Sequence, residues 1–124
     1  MHYCIKFTLL AIVSTLLLGC EKSQDATRLK ETIIEKRIHF FLNSNLEAKF
    51  TAAFDSNGFV QHSARPKGEY YVEGLEIRVK DFENVRLVFS SHTISEGDIF
   101  EAFSDSEPSG LEFTITKIEP IQIE

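Results

Sequence analysis

The stretch LKETIIEKRIHFFL (residues 29–42) decides the fold, because the spacing of its apolar residues sets the element on which the domain opens. Leu29, Ile33 and Phe40, with Ile34, Ile38 and Phe41 on the adjoining edge, recur at helical spacing. An amphipathic helix with a broad apolar face is therefore expected from Leu29 to about Leu42. Lys30 and Arg37 fall within that face, and their long stems would lie along it with the charges reaching water. A second, shorter helix is expected from Leu46 to about Asp55. Ser44 and Glu47 have capping-box spacing, Leu46, Phe50 and Phe54 follow at i, i+4 and i+8, and Asn57-Gly58 accepts the left-handed conformation found just past a helix end.

From Phe59 the pattern changes to period two. Tyr71, Leu75, Ile77 and Val79 share one face of an expected strand, with Glu76, Arg78 and Lys80 on the other; Val85, Leu87 and Phe89 then alternate with Arg86 and Ser90. Asp81 to Asn84 reads as the hairpin loop between them and Ser95 to Asp98 as a further turn. Ile99 to Phe103 forms a third strand, Ser104 to Gly110 a longer loop, and Leu111, Phe113 and Ile115 alternate with Glu112, Thr114 and Thr116 in a fourth. A terminal segment, Ile121 to Ile123, follows Pro120 and is expected to pair only as an edge. The sum is an α+β fold, with two N-terminal helices packed on an antiparallel sheet of about four strands.

Upstream of this domain, Lys6, the apolar run Phe7 to Leu18 and the small Gly19 read as an export signal. The run is shorter than the roughly 20 apolar residues of a permanent membrane helix, so removal is expected. At its end, Leu17-Leu18-Gly19-Cys20 resembles the lipobox of bacterial lipoprotein signals, in which a Leu, a small residue and an obligatory Cys mark the site of lipid attachment and cleavage. The resemblance covers only the first twenty residues and identifies a processing class. It implies a signal peptide over residues 1–19, acylation of Cys20, a lipidated tether over residues 20–27 and a single α+β domain over residues 28–124. The class carries two or three chains on its Cys, and each buried methylene contributes about 0.8 kcal/mol, so such an anchor holds firmly. Glu21 follows Cys20 where Asp would favour inner-membrane retention. The resemblance thus implies an outer-membrane lipoprotein facing the periplasm, or in a single-membrane cell a domain on its outer face.

Composition agrees with an envelope location. Cys4 would leave with the signal and Cys20 would carry lipid, so no internal disulfide is expected and the domain must fold on apolar burial. The 124 residues carry 13 basic and 19 acidic side chains, a net charge of −6, and loss of Lys6 makes the balance one unit more negative. Nucleic acid is therefore not an expected partner. From Glu96 onward eight acidic residues face one basic residue, Lys117, which reads as a solvated face.

The chemistry-bearing patterns are few. No phosphate loop, metal-ligand spacing or nucleophile elbow is present, and His39, His62 and His92 are scattered singly. Ser90, His92 and Asp98 form a catalytic set only on paper, and the Asp105 to Glu107 loop and Asp55-Ser56-Asn57-Gly58 lack a full calcium ladder. No catalytic residue, metal or cofactor beyond the lipid on Cys20 is expected. The densest cluster of contact-prone side chains runs from His62 to Tyr71 around a Pro-Gly turn signal. Together with the outward face of the hairpin it nominates His62, Arg65, Lys67, Tyr70, Arg78, Lys80 and Arg86 as partner-binding residues. The expected function is non-enzymatic binding of another envelope protein, in assembly, stabilisation, inhibition or immunity. The alternative is a carrier of a small apolar ligand held between sheet and helices, which the abundance of Phe allows.

Overall fold

Among the described residues eight strands follow one short helix. The computed structural model describes residues 24–121. The expected signal segment, Cys20 with its lipid, Glu21, and Gln122 and Ile123 of the expected terminal segment lie outside the described residues. Helix α1 covers residues 24–33, so residues 24–27 of the expected tether are helical. The strands are β1 (Lys36–Leu42), β2 (Asn45–Phe54), β3 (Phe59–His62), β4 (Gly68–Glu73), β5 (Glu76–Lys80), β6 (Asn84–Val88), β7 (Ile99–Ser104) and β8 (Leu111–Pro120). Each pairs antiparallel with the next, and β1 pairs with β8, from Lys36 opposite Pro120 to Leu42 opposite Phe113, to close a barrel. The α+β expectation of two helices on about four strands is therefore corrected to an up-and-down barrel with one helix.

The correction has a physical reason. Leu46, Phe50 and Phe54 are four residues apart, which is one helical turn and also two strand repeats, so the spacing fits both periods. In β1, Ile38 and Phe40 are buried while Arg37, His39 and Phe41 alternate with them, a period of two that the helical reading overlooks. β-branched and aromatic side chains favour the pleated surface, and β1 is hydrogen-bonded along both edges, to β2 and to β8. Such long-range pairing overrides a local helical preference.

The real helix ends where Glu35 adopts φ 58°, in the left-handed region. That conformation costs a non-glycine residue about 1–2 kcal/mol. Three hydrogen bonds hold it: Glu35 N–H donates to the Phe54 carbonyl at 2.7 Å, its carbonyl accepts from Ile121 N–H at 2.9 Å, and its carboxylate accepts from Ser56 N–H at 2.9 Å.

Inside the barrel lies one apolar core. Leu29 and Ile33, one turn apart on α1, are fully buried and plug one end, where Phe89 and Ile94 of the β6–β7 connection also pack. Polar contacts at the rim fasten helix to connection: Asp25 sits 3.3 Å from His92 Nδ1, and the Thr32 hydroxyl donates to the His92 carbonyl at 3.4 Å. Partly exposed contacts of this kind contribute little, so the plug is held by its two aliphatic side chains. Phe40, Phe100 and Phe113 meet at mid-barrel with ring centroids 5.3–5.4 Å apart. Charged side chains, among them Arg78, Lys80, Arg86 and Glu101, stand on the outer wall. This polarity is the reverse of a membrane-spanning barrel, whose apolar band faces outward.

A one-residue register determines β4. Tyr71 was expected on the apolar face; it stands outside, 57% exposed, while Tyr70 is 6% exposed and turned inward, its hydroxyl donating to the Asp55 carbonyl at 2.6 Å. At the β7–β8 turn Gly110 has φ 88°, and a Cβ there would lie 2.6 Å from Phe103 Cε1. Gly110→Ala is expected to lose about 1–3 kcal/mol in urea unfolding, more than Gly74→Ala, whose φ is 61° but whose surroundings are open. Equal losses would assign the whole effect to backbone conformation and none to the phenylalanine contact.

Candidate functional site: the open end of the barrel

Because the strands run up and down, the plugged end collects the β2–β3, β4–β5 and β6–β7 connections, and the other end collects the rest. There the interior opens into a cavity of about 290 Å³. Phe40, Phe50, Phe100 and Phe113 form much of its wall, and the space exists because Ala52, Ala102 and Ser104 stand at other wall positions. Small side chains leave what a phenylalanine would fill. At about 30 Å³ per water-sized group the cavity has room for about ten such groups.

The rim is tied by charge. Arg65, on the β3–β4 loop, donates through Nε and a terminal nitrogen to the two carboxylate oxygens of Asp81 at 2.7 and 3.0 Å, a bidentate fork across to the β5–β6 hairpin. Glu83 lies 3.5 Å from the same guanidinium and accepts Ser106 N–H at 2.9 Å and the Ser106 hydroxyl at 3.0 Å, which carries the network to the β7–β8 loop. The Asp81 side chain is 2% exposed and that of Glu83 9%, so both carboxylates are covered although their backbones reach the surface. The hydrogen bond from Arg65 holds the Asp81 carboxyl below its ordinary range, and the backbone hydrogen bond from Ser106 does the same for Glu83. A carboxylate so stabilised is a weak base, and the Ser106 hydroxyl beside it is not activated as a nucleophile. Phe82, 69% exposed, lies under the Arg65 guanidinium at 4.7 Å.

His62, the last residue of β3, lines the cavity with its ring against Phe40 and Phe50, at 5.8 and 5.6 Å between centroids. Its Nδ1 accepts the Ala64 N–H at 2.9 Å. Acceptance at Nδ1 places the proton of the neutral ring on Nε2. Burial, followed by the nearby Arg65 charge, lowers the His62 pKa and favours this neutral form.

The residues nominated from sequence are dispersed to three places. His62 and Arg65 reach the cavity. Tyr70 is interior and bonded near the plugged end, so its ring offers no contact surface. Arg78, Lys80 and Arg86 share the outer wall with exposed Tyr71, where Arg78 and Arg86 are cross-strand partners, each 3.2 Å from the Glu76 carboxylate, and Arg86 stacks on Phe103 at 4.8 Å. Lys67 lies over the Phe59 ring at 4.9 Å, on the same outer wall, in a depression it shares with Lys80. Cavity residues that sequence reasoning passed over, chiefly Ala52, Ala102 and Ser104, carry a signal visible only once strands are assigned: small side chains in inward positions otherwise held by Phe, Val and Leu.

Ser90, His92 and Asp98 are not joined by hydrogen bonds among the described residues; His92 meets Asp25 and Arg28, and the Asp98 carboxylate accepts Ser95 N–H at 2.8 Å. Asp105 accepts Asn84 N–H at 3.1 Å, and no cluster of three potential metal ligands occurs among the described residues. Comparison of the chain with family models, curated proteins and solved structures returns no match.

Proposed function

We propose that this protein binds a small apolar molecule inside its barrel and acts as a carrier or receptor for it. The observation that carries the reading is the cavity of about 290 Å³, walled by aromatic rings and open at one end. Eight strands give an interior just wide enough to be filled by side chains or to hold one small ligand, and here small side chains leave it partly unfilled. The carrier alternative drawn from the sequence thus moves from a space between sheet and helices to the barrel interior. Lipid anchoring through Cys20 belongs to the same proposal, supported by the lipobox residues. Three residues, each spanning at most about 3.6 Å, separate Cys20 from residue 24, the first described residue of α1, so the anchor would hold the plugged side near the membrane and leave the mouth facing away.

The test is calorimetric titration of the domain with butylbenzene, alongside Ala102→Leu, which puts aliphatic volume into the cavity. Wild type is expected to bind and to gain thermal stability with ligand, and Ala102→Leu to bind at least ten-fold more weakly while remaining folded. Absence of binding to wild type by butylbenzene and by its ketone, acid and amine counterparts alike would reject the carrier reading.

Contact with another envelope protein is the second reading, and exposed Tyr71 beside Arg78 and Arg86 favours it. Tyr71→Ala with Arg86→Ala should then abolish a dominant cross-linked partner in intact cells without altering ligand binding.

A further inference from the structure

We infer that the molecule taken by this cavity is uncharged and ends in a hydrogen-bond acceptor, such as a ketone or ester oxygen, which receives the Nε2–H of His62. This rests on the carrier reading and adds to it the chemistry of the ligand's polar end. Within a wall that is otherwise largely apolar, His62 places one oriented donor: the Ala64 N–H occupies Nδ1, and Nε2 has no hydrogen-bond partner among the described residues. Beside the Phe40 and Phe50 rings, an Nε2–H without a protein partner gains one when a bound molecule brings an acceptor.

The charges at the mouth exclude the other classes. Arg65 is the one cation among the lining residues, and Asp81 already holds its guanidinium in a bidentate fork, with Glu83 at 3.5 Å. A carboxylate end would find no free cation there. Recruiting His62 as an imidazolium would place a proton on Nδ1 and break its bond with Ala64 N–H. An ammonium end would meet the Nε2–H donor, would find the Asp81 carboxylate already paired with Arg65, and could reach only Glu107, which stands on the exposed rim. A neutral acceptor satisfies His62 and leaves the rim network intact.

Four probes of about ten carbons, matched to the cavity volume, separate the possibilities: 4-phenyl-2-butanone, butylbenzene, 4-phenylbutyrate and 4-phenylbutylamine, titrated near neutral pH. The ketone is expected to bind about five- to ten-fold tighter than butylbenzene, the gain of one hydrogen bond, and at least ten-fold tighter than either ion. His62→Phe should bring the ketone down to the butylbenzene affinity, while His62→Gln, which keeps an N–H donor, should retain part of the preference. Equal binding of ketone and hydrocarbon, or a ketone preference that survives His62→Phe, would overturn the inference and leave the carrier reading standing. Tightest binding of the carboxylate or the amine would overturn it in favour of a charged ligand. Failure of all four probes would remove the carrier reading and this inference with it.

Discussion

Arg65→Ala is expected to destabilise the domain by about 3 kcal/mol at neutral pH, an effect on folding that reaches beyond any loss of ligand. The guanidinium, 25% exposed, covers an Asp81 carboxylate that is 2% exposed, and removing it leaves that charge without its fork. The figure lies at the lower end of the range for breaking a buried pair because the arginine end still meets water. Arg65→Lys should recover only part of the loss, since an ammonium cannot occupy both carboxylate oxygens. Replacing both partners, in Arg65→Ala with Asp81→Ala, should cost less than Arg65→Ala alone, because no buried charge is stranded. The pH dependence has a definite sign. Asp81 and Glu83 have lowered carboxyl pKa values in the folded protein, so their stabilisation is present above the unfolded carboxylate range near pH 4 and is lost as pH falls through the folded values. The gap between wild type and Arg65→Ala in urea unfolding should therefore narrow on acidification below about pH 4. A gap under 1 kcal/mol at pH 7, or one that does not change with pH, would show that the fork is ornamental.

The same fork gives this segment a structural role that its sequence does not display. Arg65 in a Pro-Gly loop carries the marks of a contact residue, and from sequence alone its removal would weaken a partner without disturbing the fold. Its acceptor lies sixteen residues away on a different hairpin, and no spacing rule connects them. Tyr70 and Tyr71 show a related limit: both suit a strand, and a slip of one residue exchanges the inner for the outer face. β5, β6 and β8 were legible because inward apolar residues such as Ile77, Val79, Val85, Leu87, Phe113 and Ile115 alternate with polar ones, and β7 because turn residues bound it on both sides. β1 and β2 were not, since spacings of four suit helix and strand alike and the deciding interaction is the β1–β8 pairing, across more than seventy residues. The cavity was the least legible feature. It is defined by what Ala52, Ala102 and Ser104 lack, and a missing side chain has meaning only against neighbours that folding supplies.

The largest loss should come from the plug. Leu29→Ala with Ile33→Ala keeps the helical propensity of α1 high, so the change isolates packing from helix formation. Each side chain is fully buried, and truncation of such a residue costs about 2–5 kcal/mol. Being one turn apart over the same barrel end they share a cavity and will not add fully, which puts the double variant near 4–8 kcal/mol, against a total of about 5–15 kcal/mol for a domain. Urea unfolding at neutral pH reads the loss directly, and amide exchange in β1 reports whether the barrel opens first at the helix side. A loss under about 2 kcal/mol would mean that Phe89 and Ile94 close that end without the helix. The consequence for binding follows from topology. Strand pairing seals the barrel wall all the way round, so a molecule reaching the interior must pass one of the two ends, and α1 occupies one of them. With the plug in place the mouth ringed by Arg65, Asp81 and Glu83 is the route in and out. Removing Leu29 and Ile33 should therefore speed the release of a bound probe in whatever fraction stays folded, while Ala102→Leu weakens binding with the plugged end still shut. Opposite responses in the two variants would separate a pocket with one door from a barrel open at both ends.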